Sequence, residues 1–309
     1  MKIVRGLTNA RPSDRGCVLA IGNFDGMHLG HEAIVEHLAA RGRQHGLPTA
    51  VLTFEPNPRE FFDPANAPAR LMRLRDKAAR LAELKVDRLI LLKFDERLRG
   101  WDGTTFAEHV LVDALGVRHV VIGSAFRFGK GRSGTVSLLR QLGLRDGYEV
   151  DEVGAVEVNG ERVSSTRIRA ALAAGDLDTA RRLLGRDYRM TGRVMEGRRL
   201  GRTLGYATAN LRLHRKVSPL SGVFAVRVEG AGAGPLPGVA SIGTRPTVGG
   251  REVLLEVHLF DWQGDLYGRY LGVDFVSKLR EELKFENLDA LVMQMHEDAR
   301  VARACLGAG

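Results

Sequence analysis

The sequence predicts two folded parts: an α/β domain built on a parallel sheet, then a small antiparallel β-barrel closed by a C-terminal helix. Three observations carry this. The first half alternates short continuous apolar runs with amphipathic helical stretches, the pattern of βαβ units whose strands are buried on both faces. From Tyr188 to Phe275 that alternation stops, and short β-rich runs separated by glycine-rich turns take over. The 309 residues, 44% hydrophobic and 27% charged, are enough for two cores of ordinary size.

In the first part CVLAIG reads as a buried strand, His31 to Gln44 as a helix and TAVLTF as a strand. Leu71 to Leu84 reads as a helix with Leu71, Leu74, Ala78 and Leu81 on one face. RLILLKF is a strand, TTFAEHVLVDAL a helix capped by Thr104 or Thr105, HVVIG a strand and TVSLLRQLG a helix. Tyr148 to Val158 reads as a strand that turns at Asn159-Gly160. SSTRIRAALAAGDLDTARRLLG is helical with one break at Gly175 and Asp176, and the boundary is expected just after Gly185, giving domains 1–185 and 186–309. In the second part RMTGRVM, GVFAVRV, GVASIG, VLLEVHLF and VDFVSKL read as strands, with EGAGAGPLPG a loop between strands. Leu288 to Cys305 is the closing helix, with Asn287 as N-cap.

Composition excludes several classes. No apolar run approaches the roughly 18 residues of a membrane span, and the N-terminus lacks the apolar core of a signal peptide. Cys17 and Cys305 are the only cysteines and lack metal-ligand spacing, so a reduced, cytoplasmic setting is expected. The net charge of +9 admits nucleic acid or phosphorylated small molecules as partners. Basic residues are interleaved with acids, as in RLMRLRDKAARLAELKVDR, which reads as a solvated helix face. An RNA-binding barrel is the alternative of a different class. It needs stacking aromatics, and only 6% of residues are aromatic, so no nucleic acid partner is expected. Oligomeric state is not encoded in any of these patterns.

The stretch AIGNFDGMHLGHEAIVEHL places two histidines and three glycines between a strand and a helix. Gly22 ends the strand and is expected to let the chain turn sharply and a ligand approach the backbone. The helix after it offers free N–H groups and the positive end of its dipole, which together make a phosphate site. His28 and His31 stand at the entrance as hydrogen-bond donors, and Gly30 leaves room for a nucleotide. Surface residues of a first helical turn are the competing reading, and the position after a strand and before a helix favours the phosphate site. A metal pair is not completed by any nearby cysteine or carboxylate.

The pattern His28-x-Gly30-His31 on GNFDG resembles the signature of the nucleotidylyltransferase superfamily. The fuller string IGNFDGMHLGH, with TFEPNPREFF and VSSTRIR, is similar to the bifunctional riboflavin kinase/FMN adenylyltransferase family, the bacterial FAD synthetases. The resemblance spans nearly the whole chain. It implies a Rossmann-like nucleotidylyltransferase domain followed by a riboflavin kinase barrel, and Mg²⁺-dependent use of ATP, riboflavin and FMN to make FAD. It implies an adenylyltransferase ATP site of Gly22, Asn23, Phe24, Asp25, Gly26, His28, Gly30 and His31, with Ser164, Ser165, Thr166 and Arg167 at a second helix start. His28 and His31 carry the catalytic contacts to the phosphates. Phe54, Pro56, Pro58, Phe126 and Phe128 form the flavin side; core packing is the competing reading for Phe54.

GSAFRFGKGRSG is not a P-loop, because five residues separate Gly123 from Gly129 and Lys130 precedes a glycine. It resembles the family's Gly-x-Asp/Asn-Phe-x-Phe-Gly segment, with Ala125 where an acid or amide is usual. In the second part, Gly197, Gly201 and Gly205 recur at four-residue steps in GRVMEGRRLGRTLGYATAN, as in a loop that covers phosphates. The string resembles the riboflavin kinase motif Gly-Arg-x-x-Gly-Phe-Pro-Thr-Ala-Asn, with Ala207 in place of proline. By that resemblance Thr208 and Asn210 hold Mg²⁺ and ATP, and Glu256 is the catalytic base. Arg280 reaches the nucleotide or flavin, or is an ordinary surface arginine. Because Ala125 and Ala207 both depart from pattern, a chain with one surviving activity is the enzymatic alternative.

Overall fold

A computed structural model of the chain describes residues 1–196, 208–247 and 250–308. It forms two compact units. The first comprises Met1–Pro68 and Met72–Ser164, the second Ala69–Leu71 and Ser165–Gly309.

The first unit is a parallel sheet of six strands: β1 (Lys2–Arg5), β2 (Val18–Ile21), β3 (Thr49–Glu55), β4 (Arg88–Lys93), β5 (His119–Gly123) and β6 (Glu149–Val153). Their spatial order is β1-β4-β3-β2-β5-β6, and every pairing is parallel. The chain leaves β2 toward β3 on one side and places β5 on the other. The topological switch point, where such sheets bind ligands beyond the strands' carboxyl ends, therefore lies at β2. Successive residues of each strand feed opposite cores. Leu19, Ile21, Leu52, Ile90, Val120 and Ile122 pack on one face, while Val18, Ala20, Val51, Leu89 and Val121 pack on the other. That is why these strands read as unbroken apolar runs. Cys17 lies in the first of these cores, and burial pushes its thiol up to about 11.

Helix α1 (Leu29–His45) follows β2 and seats Val35 and Leu38 in the second core. It ends at Gly46, which is left-handed with φ 63°. Between strands lie α2 (Pro58–Phe62), α3 (Leu74–Glu83), α4 (Glu96–Gly100), α5 (Gly103–Phe106) and α6 (Val136–Asp146). Helix α5 runs directly into a π-helical stretch, Ala107–Ala114. Its N-cap is Asp102, whose carboxylate accepts from the Thr105 N–H at 2.8 Å, rather than the expected Thr104 or Thr105. An ionised carboxylate caps better than a hydroxyl at the positive end of a helix. The strand expected over Tyr148–Val158 is interrupted: β6 ends at Val153, and a separate hairpin, β7 (Glu157–Val158) and β8 (Glu161–Arg162), follows. Its turn is the one expected, with positive φ at Asn159 (55°) and Gly160 (74°).

The second unit opens with helices α7 (Ser165–Ala174) and α8 (Leu177–Leu184), broken where expected. Gly175 has φ 76° and Asp176 caps α8 through the Thr179 N–H at 2.9 Å. Strands β9 (Tyr188–Met195), β10 (Thr208–Arg212), β11 (Gly222–Glu229), β12 (Leu236–Thr247), β13 (Gly250–Leu259) and β14 (Tyr270–Arg280) close a barrel in the order β10-β13-β12-β11-β14-β9. All six pairings are antiparallel. Phe224 and Phe275 meet edge-to-face inside it at 5.2 Å. Helix α9 (Leu288–Leu306) packs on β11, β12 and β14, with Asn287 as N-cap, accepting from the Ala290 N–H at 2.8 Å. Helix α8 packs on β9 and β14, and the long segment of the second compact unit begins 21 residues ahead of the break read after Gly185.

Candidate functional site

In the first unit β2 ends at Ile21, and residues 22–28 form the turn into α1. His28 is the helix N-cap: its Nδ1 accepts from the His31 N–H at 3.3 Å. Nδ1 thus acts as an acceptor, and a neutral His28 carries its proton on Nε2. The His28 and His31 rings stack with centroids 3.6 Å apart, and Phe24 lies 5.2 Å from His31. His28 is only 6% exposed, so its orientation is fixed by packing as well as by the cap.

The glycines of this turn do other work than expected. Gly22 is not left-handed; the positive φ values fall on Phe24 (47°), Gly26 (89°) and Met27 (43°). A Cβ at Gly22 would stand 3.1 Å from the Phe24 ring, and one at Gly30 would stand 3.3 Å from the His28 ring. Both glycines therefore make room for an aromatic or imidazole side chain of the site itself. Strain at Phe24 and Met27 is held by burial, at 1% and 0% exposure.

Beneath the turn, the buried Lys77 of α3 donates to the Asn23 carbonyl at 2.6 Å, and the Thr53 hydroxyl donates to the same oxygen at 3.2 Å. Asp25, also buried, accepts from the Met72 N–H at 3.0 Å. Asn23 and Asp25 are thus tied into the scaffold through their backbone or carboxylate. Lys77, Thr53 and Met72 were missed in the sequence, because nothing in their spacing marks them as neighbours of GNFDG.

At the carboxyl ends of β3 and β4, around the residues expected on the flavin side, lies a larger aromatic cluster. Phe54 is partly buried, with Phe94 edge-on at 6.0 Å and Phe106 at 6.4 Å. Phe61, Phe62 and Phe94 form a further triangle with centroids 5.3 to 5.8 Å apart, and Phe62 is 59% exposed. Pro58 opens α2 at its first position behind the N-cap Asn57, a structural duty for proline. Pro56 lies two residues before it, between β3 and α2. Phe126 stacks on Phe128 at 5.4 Å, but Phe128 packs on Phe106 inside the core. Of these two, Phe126 therefore keeps the outward position and Phe128 is a core residue. Ala125 beside it is exposed.

In the second unit Ser164's neighbours Ser165, Thr166 and Arg167 form the first turn of α7, while Ser164 itself is the last residue of the first unit. In the barrel, Thr208 and Asn210 lie on one face of β10, opposite His258 and Glu256 of β13 respectively. Ser241 of β12 flanks Glu256 on its other side. The alternating residues Ala209, Leu211, Leu255 and Val257 are buried within the barrel. This leaves Thr208, Asn210, Glu256 and His258 together on its partly exposed outer face. Gly197, Gly201, Gly205 and Ala207 lie outside the described residues. Arg280 is committed elsewhere: it forms a forked pair with the buried Asp298 of α9, at 2.9 and 2.7 Å, and so anchors the closing helix.

A histidine-capped helix after the central strand of a parallel sheet and, in the same chain, a barrel that pairs Asn210 with Glu256 across two strands fit a two-domain transferase. Residues 10–167 match a family model described as FAD synthetase, and residues 184–306 match one described as riboflavin kinase. The chain is 50% identical to the bifunctional riboflavin kinase/FMN adenylyltransferase of Pseudomonas fluorescens, over 98% of this chain and 97% of that protein. It is 46% identical to the protein of the same description from Escherichia coli K12, over 99% and 98%. A crystal structure described as a macrolide-efflux protein from Streptococcus pneumoniae superposes with a TM-score of 0.84 at 30% identity, over 98% of this chain and 99% of that one. Among the described residues of this chain no helix is long and apolar enough to cross a membrane. The chain belongs to the bifunctional riboflavin kinase/FMN adenylyltransferase family.

Proposed function

We infer that this chain phosphorylates riboflavin to FMN with ATP and adenylylates FMN to FAD with release of pyrophosphate. The observation that carries this reading is that one chain holds both the His28–His31 helix start and the Asn210–Glu256 cross-strand pair, each in the half that matches the corresponding family model.

In adenylyl transfer the FMN phosphate attacks the α-phosphorus of ATP in line and pyrophosphate leaves. No covalent enzyme intermediate is needed, so positioning and charge stabilisation supply the catalysis. His28, with Nδ1 engaged by the His31 N–H, offers its Nε2–H to a phosphate oxygen. The positive end of the α1 dipole favours the same charge. Ser164, Ser165, Thr166 and Arg167 suit the outer phosphates as hydroxyl, amide and guanidinium donors. Phe54 and Phe126, with Phe62 and Phe94, supply the aromatic surface for the flavin ring.

In the kinase reaction Glu256 takes the proton of the ribityl 5′-hydroxyl as that oxygen attacks the γ-phosphorus of a second ATP, and ADP leaves. Thr208 and Asn210 present neutral oxygens on one face of β10, a donor set that fits a hard cation already carrying phosphate oxygens. Mg²⁺ held there would neutralise charge on the transferred phosphoryl group.

We assign adenylyl transfer to residues 1–185 and riboflavin phosphorylation to 186–309, with α7 and α8 also serving as scaffold for the barrel. The partners are ATP, riboflavin and FMN, and the setting is the cytoplasm, which suits two unpaired cysteines. The test is incubation of the full chain with riboflavin, ATP and Mg²⁺, followed by chromatographic separation of riboflavin, FMN and FAD. Accumulation of FAD through FMN supports the reading. FMN alone would leave the kinase and remove the adenylyltransferase; neither product would remove both.

A further inference from the structure

At the amino ends of β5 and β6, on the side of the sheet away from the His28 turn, lies a cluster that the two reactions do not use. His119 opens β5, Glu149 opens β6 and His45 is the last residue of α1. One donor atom from each of the three lies within 4.8 Å of the other two. His119 is 1% exposed. Its Nδ1 stands 3.3 Å from a Glu149 carboxylate oxygen and its Nε2 stands 3.0 Å from Asp151, yet neither nitrogen has a hydrogen bond of acceptable geometry. The His45 ring is 5.4 Å from that of His119.

We propose that His45, His119 and Glu149 form a Zn²⁺ site. Two imidazoles and one carboxylate are a borderline donor set that takes Zn²⁺ in preference to Mg²⁺ or Ca²⁺. Bonds of about 2.0–2.1 Å in a tetrahedron put ligand atoms roughly 3.3 Å apart. His45 and Glu149 are exposed and reach that spacing by rotamer adjustment, while buried His119 supplies the fixed point. Water takes the fourth position. The surroundings are those a metal-bound imidazole needs. With Nδ1 on the metal, His119 turns Nε2–H to Asp151, the carboxylate that orients a ligating histidine. Asp151 is itself held by His37 at 2.6 Å and Arg41 at 2.5 Å. The cation also sits at the carboxyl end of α1, where the helix dipole favours positive charge. Helix α1 has 17 residues, which places this site roughly 25 Å from His28. A metal here ties the end of α1 to β5 and β6 and stiffens the helix whose other end His28 caps.

The test uses the full chain, stripped with a chelator, dialysed and titrated with Zn²⁺ against a chromophoric indicator. One equivalent binds in the parent, and His45→Ala and Glu149→Gln each weaken binding at least 10-fold. Both positions are exposed, so the variants keep their fold, which circular dichroism checks. Co²⁺ in place of Zn²⁺ gives the visible absorption of a four-coordinate ion in the parent and loses it in His45→Ala. FMN and FAD formation persist in both variants. Absence of saturable Zn²⁺ uptake overturns the proposal, as it would mean that the cluster binds protons only. Binding that survives both variants but disappears in His28→Ala also overturns it, by placing the ion on the His28–His31 pair.

Discussion

The imidazoles of His28 and His31 lie nearly parallel, 16° apart, with the His31 backbone N–H directed at Nδ1 of His28. The same side chain thereby caps the helix through Nδ1, while the proposed chemistry uses Nε2. Capping and chemistry are separable by substitution. His28→Ala removes both and costs about 1 kcal/mol of stability through the lost cap. His28→Asn keeps a cap acceptor and removes the imidazole donor. Both variants should lose about 10²–10³-fold in FAD formation from FMN while FMN formation persists, and only His28→Ala should melt lower. Retained FAD formation in a folded His28→Asn would show that the imidazole is a cap alone.

The pairing of Asn210 with Glu256 across β10 and β13 makes a second prediction about distinct kinetic parameters. Glu256→Gln keeps shape and hydrogen bonding but removes the base, so kcat for riboflavin phosphorylation should fall much further than KM for ATP rises. Asn210→Ala should chiefly raise the ATP and Mg²⁺ requirement. Steady-state kinetics on both variants check this, and a fully active Glu256→Gln would assign the base elsewhere.

The contrast between these two sites shows what sequence could carry. The parallel sheet, the order of its helices, the barrel and the cap at Asn287 were legible because each rests on local periodicity or a single side chain. Strand β1 was not: Lys2–Arg5 is four residues long, with only Val4 buried, and it gains its place by pairing with β4 at the sheet edge. The hold of Lys77 and Thr53 on the Asn23 carbonyl joins residues up to 54 apart in sequence, which no spacing rule reaches. The same holds for the Asn210–Glu256 register. His28 stood out by its place between a strand end and a helix start, whereas Thr208, Asn210 and Glu256 were named only because whole motifs resembled a family; a lone glutamate in a strand says nothing about function.

Ala125 is exposed in a loop that is otherwise tightly determined. Gly129 there has φ 72°, and a Cβ at Gly134 would stand 2.5 Å from the Phe128 ring. Substitution at Ala125 therefore meets no packing obstacle. Ala125→Asn should leave the melting temperature within about 1–2 °C of the parent and should not lower the rate of FAD formation, since it restores a side-chain hydrogen-bonding group. A clear fall in that rate with unchanged stability would show that the site is built around alanine.

The last prediction concerns where the barrel can be cut free. Thr208, Asn210 and Glu256 all lie within residues 186–309, so that fragment contains the whole proposed phosphoryl-transfer constellation. It omits α8, whose Leu177, Leu183 and Leu184 are 6%, 1% and 2% exposed and which packs on β9 and β14. Each buried leucine contributes about 1.5–3 kcal/mol, and their summed loss approaches the whole stability of a small domain, about 5–15 kcal/mol. The cut after Gly185 thus exposes an apolar face that the cut before Ser165 keeps covered. Residues 165–309 still lack Ala69–Leu71, whose carbonyls accept from Arg169 at 2.6 Å and from the Tyr188 hydroxyl at 3.0 Å. Those donors, and Arg215 which reaches the Arg70 and Leu71 carbonyls, turn to water in the fragment at a net cost of about 0.5–1.5 kcal/mol each, and the loss of the one buried leucine, Leu71, is smaller than the loss of three in α8. The longer fragment should therefore fold cooperatively and phosphorylate riboflavin, while 186–309 should melt at least 10 °C lower or aggregate. Thermal melts and riboflavin kinase assays on the two fragments decide the matter. Equal melting temperatures would mean that α8 rests on the barrel without supporting it, and a folded 165–309 without kinase activity would mean that residues of the first unit are needed for the chemistry.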